Sequence, residues 1–247
     1  MWKASEPQVF GPFQSRNNYA SFALLMFPLV MWKGLHGTLH WHFLAAGAII
    51  GASIVASGSR AGALLFAVEL ILMFWLHRKQ RSKGWGMAGA GMLLVAAIGM
   101  SGWSQLEHKL FDSDPFRYRR EMLASAVRMF REKPVTGFGL GTFPAVYPAF
   151  AEFDSGHYIN HAHNDWAELG AEGGLAPVIL LGVFLACVLA SVAGNPWGIG
   201  VPLVFVHALV DYPLQRLGVV FWVLVLSSAL LATESKLKHK IRSAEGG

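Results

Sequence analysis

Charged residues are scarce in this sequence. Asp, Glu, Lys and Arg make up 14% of its 247 residues, whereas hydrophobic residues make up 54%. So few charges cannot cover the surface of a soluble globule, and we therefore expect the chain to lie in a lipid bilayer. This composition excludes an ordinary soluble enzyme and leaves the proteins that work in or at a membrane.

Cysteine is almost absent. The single Cys187 lies inside an apolar run, so no intrachain disulfide can form and a Cys-based metal site is excluded. The first residues have no basic segment followed by an apolar core and do not resemble a cleavable signal peptide. No Walker lysine follows the glycines of residues 137–141, and a predicted helix rather than a strand precedes them, which disfavours a nucleotide-binding loop.

Basic residues form two clusters next to apolar runs. The formal net charge is +5, but many of the Lys and Arg residues lie in a loop at 77–83 and in the tail from Lys236, next to apolar runs. That arrangement is typical of the cytoplasmic ends of membrane spans, so we expect no nucleic-acid partner.

The long apolar runs predict an all-α, polytopic membrane protein of about seven transmembrane helices with one large extracytoplasmic loop containing short helices. The candidate spans are residues 19–33, 41–57, 61–76, 85–101, 175–193, 198–212 and 217–233. The predicted regions are N-terminal spans in 1–101, the loop domain in 102–174, C-terminal spans in 175–235 and a basic cytoplasmic tail in 236–247. With the basic segments inside, the turns near 57–60 and 213–216 and the whole loop face outside.

Residues 134–174 carry most of the unusual chemistry, including three histidines beside acidic and amide residues. An imidazole can take up a proton near neutral pH, so His163 is a candidate general base. His157, His161, His163 and Asp154 could instead bind zinc, although H-x-H alone is a poor zinc signature. We expect Glu168 and Glu172 on the solvated face of a short helix that follows the histidines.

Arginines near the predicted outer surface could bind an anion. Arg60 begins a span after a turn in which Ser57 or Ser59 can cap the helix, and a helix start favours negative charge. Arg16 precedes the first span, where it could bind an anion or extend to the interface.

Residues 116–133 predict an amphipathic helix whose apolar face contains Phe116, Leu123, Ala126, Val127 and Phe130. The opposite face contains Arg117, Arg120, Arg128 and Arg131. Arg119 is the exception: it projects from the apolar face towards protein, where an unpaired cation is costly, unless its stem bends back to solvent. Glu69 falls in the middle of a span, where we expect a structural hydrogen bond.

Several motifs together resemble the O-antigen ligase and O-antigen polymerase-related membrane protein family. They are Gly137-x-Gly139-x-Gly141-x-Phe143, His161-Ala-His163-Asn164-Asp165, Ser59-Arg60-x-Gly62, the His207-x-x-x-Asp211-x-Pro213-Leu214 run, and Gly11-Pro-Phe13-Gln-Ser15-Arg16-Asn17, with Ser15 where the family commonly has Asn. Family members are usually longer, so the chain looks like the C-terminal part of such a protein.

The resemblance implies a metal-independent, inverting glycosyltransferase without cofactors. It would transfer glycan from a polyprenyl-diphosphate carrier to a hydroxyl of a glycan, lipid or protein acceptor, at the periplasmic face of the bacterial inner membrane. His163 would be the catalytic base, and Arg60, Arg16 and either Arg119 or Arg120 would bind the diphosphate. The supporting residues would be His161, Asn164, Asp211, Gly137, Gly139 and Gly141.

Two of these roles have structural alternatives. Asp211 could orient a histidine or an arginine of the site, or could cap a helix before Pro213. The glycines would form a turn that comes close to a ligand or to a helix.

Two other functions fit the same residues. The arginines could form the binding site of a membrane transporter for a small anion. The histidines could belong to a zinc-dependent membrane hydrolase.

Overall fold

The computed structural model describes residues 12–35, 40–77, 117–153 and 156–245, and within these ranges it is helical, with no β-strand. The helices are α1 (Arg16–Leu35), α2 (Trp41–Ala56), α3 (Arg60–His77), α4 (Arg117–Glu132), α5 (Phe143–Val146), α6 (Asp165–Gly173), α7 (Leu175–Val192), α8 (Gly200–His207) and α9 (Leu217–Glu245). Short 3-10 turns occupy Tyr147–Ala149, Pro196–Gly198 and Pro213–Gln215.

The all-helical class is therefore confirmed, whereas the seven-span topology is not. Among the described residues, α7 is the one helix that is both long and apolar enough to cross a membrane, and Trp41–Ala56, Pro196–His207 and Leu217–Thr233 are shorter apolar helices. The expected span at 198–212 is wrong in its extent, because its α-helix ends at His207 and a turn follows. The candidate at 85–101 and most of the basic loop at 77–83 lie outside the described residues.

Helix α1 is the centre of the bundle and packs against α2, α3, α8 and α9. Two glycines permit close approaches of α3 and α8 to α1. A Cβ on Gly62 of α3 would lie 2.6 Å from the Cβ of Ala20, and one on Gly200 of α8 would lie 2.6 Å from the carbonyl oxygen of Leu24. The first contact brings the N-terminal ends of α1 and α3 together, and with them Arg16 and Arg60.

A second, smaller apolar core lies in the loop layer, which we define as residues 117–173. There α4 packs against α6, and the buried side chains are Met122, Ala126, Met129, Phe143, Tyr147, Ala162 and Ala171. This core is separate from the bundle's own cluster, so the loop layer has apolar packing of its own to hold its backbone.

The predicted apolar face of α4 is only partly right: Ala126 is buried and Phe130 half-buried, as expected. Leu123 and Val127 are 38% and 36% exposed, whereas Glu121 and Ser125 are buried. Tertiary hydrogen bonds explain the difference, because the Glu121 carboxylate accepts from the Tyr147 hydroxyl and from Ser125 Oγ at 2.7 Å. The buried face is thus turned around the helix from the one that hydrophobic periodicity indicates; Phe116 and the Arg117 side chain lie outside the description.

Arg128 also departs from its expected place on the solvated face of α4. Its guanidinium donates to the carbonyl oxygen of Phe150 from Nε at 3.1 Å and from Nη2 at 2.8 Å. It also pairs with Glu152 at 2.5 Å. Arg128 therefore ties α4 to the turn that ends near residue 150.

Glu69 is fully buried in α3, as expected, but neither of its carboxylate oxygens has a hydrogen-bond partner among the described residues. The expected structural hydrogen bond is therefore not found.

Candidate active site

The site is built from two segments that hydrogen bonds hold together: the histidine loop, residues 156–164, and the late turn, residues 208–216. Asn164 Nδ2 donates to the Leu209 carbonyl at 2.8 Å, and the Asp165 N–H donates to the Ala208 carbonyl at 2.9 Å. In return the Leu214 N–H donates to Asp165 Oδ2 at 2.7 Å. The late turn follows α8 directly, so these bonds fix the histidine loop to the end of the bundle.

His163 lies at the centre of this junction in the left-handed backbone region, with φ at 53°. Such a conformation costs a residue other than glycine on the order of 1–2 kcal/mol, and here the surrounding bonds hold it. Its Nδ1 lies 3.2 Å from Asp211 Oδ1, and its ring meets the edge of Tyr212 at 4.8 Å. A carboxylate can only accept, so Nδ1 carries the proton and Nε2 is left to accept one.

Asp211 connects His163 to an arginine. Burial of this carboxyl favours its neutral form, but the hydrogen bond from His163 and the charges of His163 and Arg119 outweigh burial and lower its pKa. Its Oδ1 also accepts the Tyr212 N–H at 2.9 Å. The role of orienting a histidine, one of the alternatives left open by the sequence, matches this geometry.

Arg119 approaches the other oxygen of the same carboxylate. Nη1 donates to the Val210 carbonyl at 3.0 Å, and Nη2 lies 3.9 Å from Asp211 Oδ2. The side chain is 32% exposed, so it contacts protein on one side and leaves donors available on the other. Arg120, the alternative in the same stretch, lies on an exposed part of α4.

Arg16 and Arg60 complete a cationic cluster, by which we mean Arg16, Arg60 and Arg119. Each of the first two is the first residue of its helix, and Ser59 Oγ caps α3 by accepting the Gly62 N–H at 3.1 Å. Partial burial and the nearby charges of Arg60 and Arg119 lower the pKa of Arg16, while Asp211 acts in the opposite direction. Arg60, Arg119 and Asp211, far apart in sequence, thus all lie within electrostatic range of Arg16.

His161 belongs to a second histidine–carboxylate pair. Its Nδ1 lies 2.9 Å from Glu168 Oε1, the other oxygen of Glu168 accepts the Ala162 N–H at 2.7 Å, and its ring stacks on Tyr212 at 4.5 Å. Glu168 is 2% exposed. The expectation that it lies on a solvated face is therefore wrong, because the loop's own donors bury it.

The expectation that Glu172 lies on a solvated face is also wrong, and the contacts of Glu172 show why glycines occupy the turn at 137–141. It is buried, and its carboxylate accepts the Gly141 N–H at 2.9 Å and the Phe143 N–H at 2.8 Å. Gly137, with φ at 61°, approaches so closely that a Cβ would lie 2.2 Å from the Glu172 carbonyl oxygen. Gly139, with φ at 111°, donates its N–H to that carbonyl at 2.8 Å. The glycine turn, by which we mean Gly137, Gly139 and Gly141, therefore packs against the end of α6. Of the two predicted uses of these glycines, a contact with a ligand or with a helix, this geometry matches the contact with a helix.

Asn164 is a structural part of the site. Its side-chain oxygen accepts the Ala167 N–H at 2.9 Å, which caps α6, while its nitrogen holds Leu209. Both ends of the amide are engaged, so the residue positions its neighbour His163 rather than a ligand. Asp165, the first residue of α6, is 3% exposed, and burial raises its pKa to about 8 even though the bond from Leu214 acts against this.

Sequence reasoning missed one aromatic and one cationic residue of the late turn. Tyr212 contacts both histidine rings, and the Arg216 guanidinium lies 4.9 Å from the centre of the Tyr212 ring. Arg216 Nε is buried without a partner among the described residues. The available signal was that Tyr212 directly follows the H-x-x-x-D motif and that Arg216 lies five residues after Asp211.

A polar cavity of about 380 Å³ adjoins His163. It is lined by Tyr118, Met122, His157, Tyr158, Ile159, Asn160, His161, His163 and Tyr212. Within the described ranges, no group of three or more His, Cys, Asp or Glu side chains could hold a metal ion. Asp154, one member of the zinc alternative, lies outside those ranges.

A family model described as O-antigen ligase matches residues 44–182, more than half of the 247 residues. The matched segment includes Arg60, Arg119 and His163, whereas Arg16 and Asp211 lie outside it. A comparison with curated proteins gives no significant match. The chain therefore belongs to the O-antigen ligase family, a bacterial membrane protein family of polysaccharide biosynthesis.

Proposed function

We propose that the chain transfers glycan from a polyprenyl-diphosphate carrier to an acceptor hydroxyl at the periplasmic face of the bacterial inner membrane. Family membership supports a membrane enzyme of glycan transfer in general. The observation that carries the finer proposal is one carboxylate, Asp211, shared between His163 at 3.2 Å and Arg119 at 3.9 Å. A proton acceptor and an anion-binding cation are thereby held next to each other.

His163 acts as the general base in this proposal. Its Nε2 takes the proton of the acceptor hydroxyl as that oxygen attacks the anomeric carbon of the donor sugar. The bond from the same carbon to the diphosphate oxygen breaks, and the electron pair leaves with the polyprenyl diphosphate. Asp211 holds the imidazole in the required tautomer and stabilises the imidazolium that forms. Attack from the face opposite the leaving group inverts the anomeric configuration.

The cationic cluster stabilises the departing diphosphate. Guanidinium groups bind phosphate oxygens through paired hydrogen bonds and stay charged at any physiological pH. Partial burial first, and then the nearby charges of Arg60 and Arg119, lower the pKa of Arg16, and a bound diphosphate would offset both effects. Charge neutralisation by the protein's own side chains makes the proposed reaction metal-independent.

A transporter for a small anion would use the same arginines, but it has no need of a fixed histidine–carboxylate pair beside them. The His163–Asp211 pair and the family match both favour transfer. Arg119 is therefore assigned to the leaving group and not to a transported ion.

The test is incorporation of labelled glycan from a polyprenyl-diphosphate carrier into other material in membranes that contain the full chain. His163→Gln should lower the rate by about 10²–10⁴-fold, the usual contribution of a positioned base. The matched control is His42→Gln, which changes an exposed histidine at the start of α2 that lines neither the polar cavity nor any other part of the site and should leave the rate within about twofold. Near-normal transfer by His163→Gln, at normal protein level, would remove the mechanism.

A further inference from the structure

A groove of about 700 Å³ lies between α7 and α9 and is separate from the polar cavity beside His163. Most of its wall is apolar, with Pro177, Leu180, Leu181 and Phe184 of α7 facing Val220, Val223 and Leu224 of α9. Leu180 and Leu224 are 70% and 54% exposed. In a membrane protein such side chains face lipid, so the groove is open towards the bilayer.

One end of the groove is polar and acidic. Asn160, His161, Gln215 and the carboxylate row, by which we mean Asp165, Glu168 and Glu172, line this end. The residues of the row are three and four positions apart and so share one face of α6. Groups of the loop layer form hydrogen bonds with both carboxylate oxygens of Glu168 and both of Glu172.

Asp165 is the exception within the row. Its Oδ2 accepts the Leu214 N–H, but its Oδ1 has no hydrogen-bond partner among the described residues although the side chain is 3% exposed. A buried polar atom without a partner costs on the order of 1–3 kcal/mol. A hydrogen-bonding group of a ligand in the groove would satisfy this atom.

The charges around the groove determine which ligand fits. Among the residues that the structure describes, no arginine or lysine lines the groove, and the cationic cluster does not border it. Arg216 is near enough to influence Asp165, but it lies over Tyr212 and does not line the groove. A phosphate placed against Glu168 and Glu172 would be repelled, whereas an uncharged sugar hydroxyl can donate to or accept from the carboxyl group of Asp165.

We propose that this groove binds the lipid-anchored acceptor, with its hydrocarbon chain between α7 and α9 and an uncharged, hydroxyl-bearing head group against Asp165. The proposal rests on the proposed function, because it divides the two substrates of that reaction between two sides of the histidine loop. His161 lines both the groove and the polar cavity of His163. A head group that extends past His161 therefore comes to the catalytic base.

Binding can be measured without catalysis. The probe is a photoreactive dodecyl maltoside, added to the full chain in phosphatidylcholine nanodiscs, with labelled peptides identified by mass spectrometry. Labelling should fall on α7 and α9. Leu180→Trp, which fills the groove, should lower labelling about tenfold, and the matched control Leu189→Trp, on the exposed surface of the same helix, should leave it unchanged.

The head-group preference is tested by competition and by Asp165. Unlabelled dodecyl maltoside should displace the probe at least tenfold better than dodecyl phosphate, and Asp165→Leu should remove that preference while Asp165→Asn keeps it. If Asp165→Leu does not fold, the Leu180→Trp pair and the competition still decide. Equal or better competition by dodecyl phosphate would overturn the proposal, since the groove would then accept an anionic carrier.

The two proposals fail separately. Unchanged labelling in Leu180→Trp would disprove the groove as the acceptor site and would say nothing against the transfer mechanism. Normal transfer by His163→Gln, with labelling in the groove as expected, would instead sink the mechanism.

Discussion

The cationic cluster and the carboxylate row both concentrate like charges beside the histidine loop, but they differ in how those charges are satisfied. Glu168 and Glu172 are buried, and backbone N–H groups or an imidazole bond each of their oxygens. Arg119 by contrast is 32% exposed and shares one carboxylate, Asp211, with His163. Glu168 and Glu172 are therefore engaged within the fold, whereas Arg119 keeps donors available for a ligand.

This difference teaches that charge density alone does not identify the site. Substitutions in the row should act mainly on the stability of the loop layer, and substitutions in the cluster mainly on the reaction. The four predictions below, in order of expected size, test that division.

The largest effect is expected from Glu172→Ala. The substitution leaves the buried N–H of Phe143 and the partly exposed N–H of Gly141 without acceptors. The buried loss costs about 1–3 kcal/mol and the partly exposed one about 0.5–1.5 kcal/mol, so the free energy of unfolding should fall by about 1.5–4.5 kcal/mol. Thermal unfolding of the purified chain in detergent measures this. Glu132→Ala, at the exposed end of α4, is the control and should change little; an equally small effect of Glu172→Ala would show that the row is not structural.

Arg119→Gln should reduce glycan transfer about 10–100-fold with little change in stability, since a charge-assisted hydrogen bond to a ligand contributes about 1.5–3 kcal/mol. Arg120→Gln is the matched comparison because the sequence left the choice between these neighbours open. We expect Arg120→Gln to retain nearly full activity in the same membrane assay. The reverse order of the two variants would move the diphosphate away from Asp211.

Asp165 predicts a pH dependence of stability. Its folded pKa is about 8 against an ordinary value of 3.8, so the folded state holds the proton more tightly. The stabilisation is fully present below pH 4 and is lost as pH rises towards 8, by at most about 1.4 kcal/mol per pH unit. Unfolding midpoints at pH 5 and pH 8 should therefore differ less in Asp165→Asn than in the wild type.

Asp211 predicts a pH dependence of stability with the opposite sign. Its pKa is lowered, so its contribution is present at neutral pH and is lost in acid. If Asp165→Asn and the wild type lose stability equally between pH 5 and pH 8, the carboxyl of Asp165 is not held neutral in the folded chain.

The smallest effect is expected from Arg16→Gln on stability. Removing one of several mutually repelling cations should leave the unfolding midpoint unchanged or slightly higher, while affinity for the polyprenyl-diphosphate donor falls about tenfold or more. Arg131→Gln, on the exposed surface of α4, controls for loss of a surface charge. A clear loss of stability in Arg16→Gln would place this arginine with the structural residues.

The helical class could be predicted, because apolar runs and helix starts are local features of the sequence. The spacing of the H-x-x-x-D motif offered the possibility that Asp211 orients a histidine or an arginine. The choice of Arg119 came from an apolar face of α4 that only partly matches the buried one. The buried face of that helix could not be predicted, since Glu121 and Ser125 are held by partners at residues 147 and 150, which periodicity does not register.

The carboxylates of α6 show the same limit. Their polarity predicts that Glu168 and Glu172 face solvent. Their carboxylate oxygens instead accept hydrogen bonds from N–H groups of the histidine loop and the glycine turn. Only the folded backbone brings these groups together. The groove between α7 and α9 was likewise invisible in the sequence, because it depends on how two apolar helices diverge beside α6.

The proposed mechanism requires the cationic cluster and His163 to act on one substrate. A cryo-electron microscopy structure of the full chain in nanodiscs with a polyprenyl-diphosphate-linked sugar would show whether they do. We expect phosphate density within hydrogen-bond distance of Arg16, Arg60 and Arg119, with the anomeric carbon on the side of His163 Nε2. Phosphate density against the carboxylate row of α6, or away from all three arginines, would contradict it.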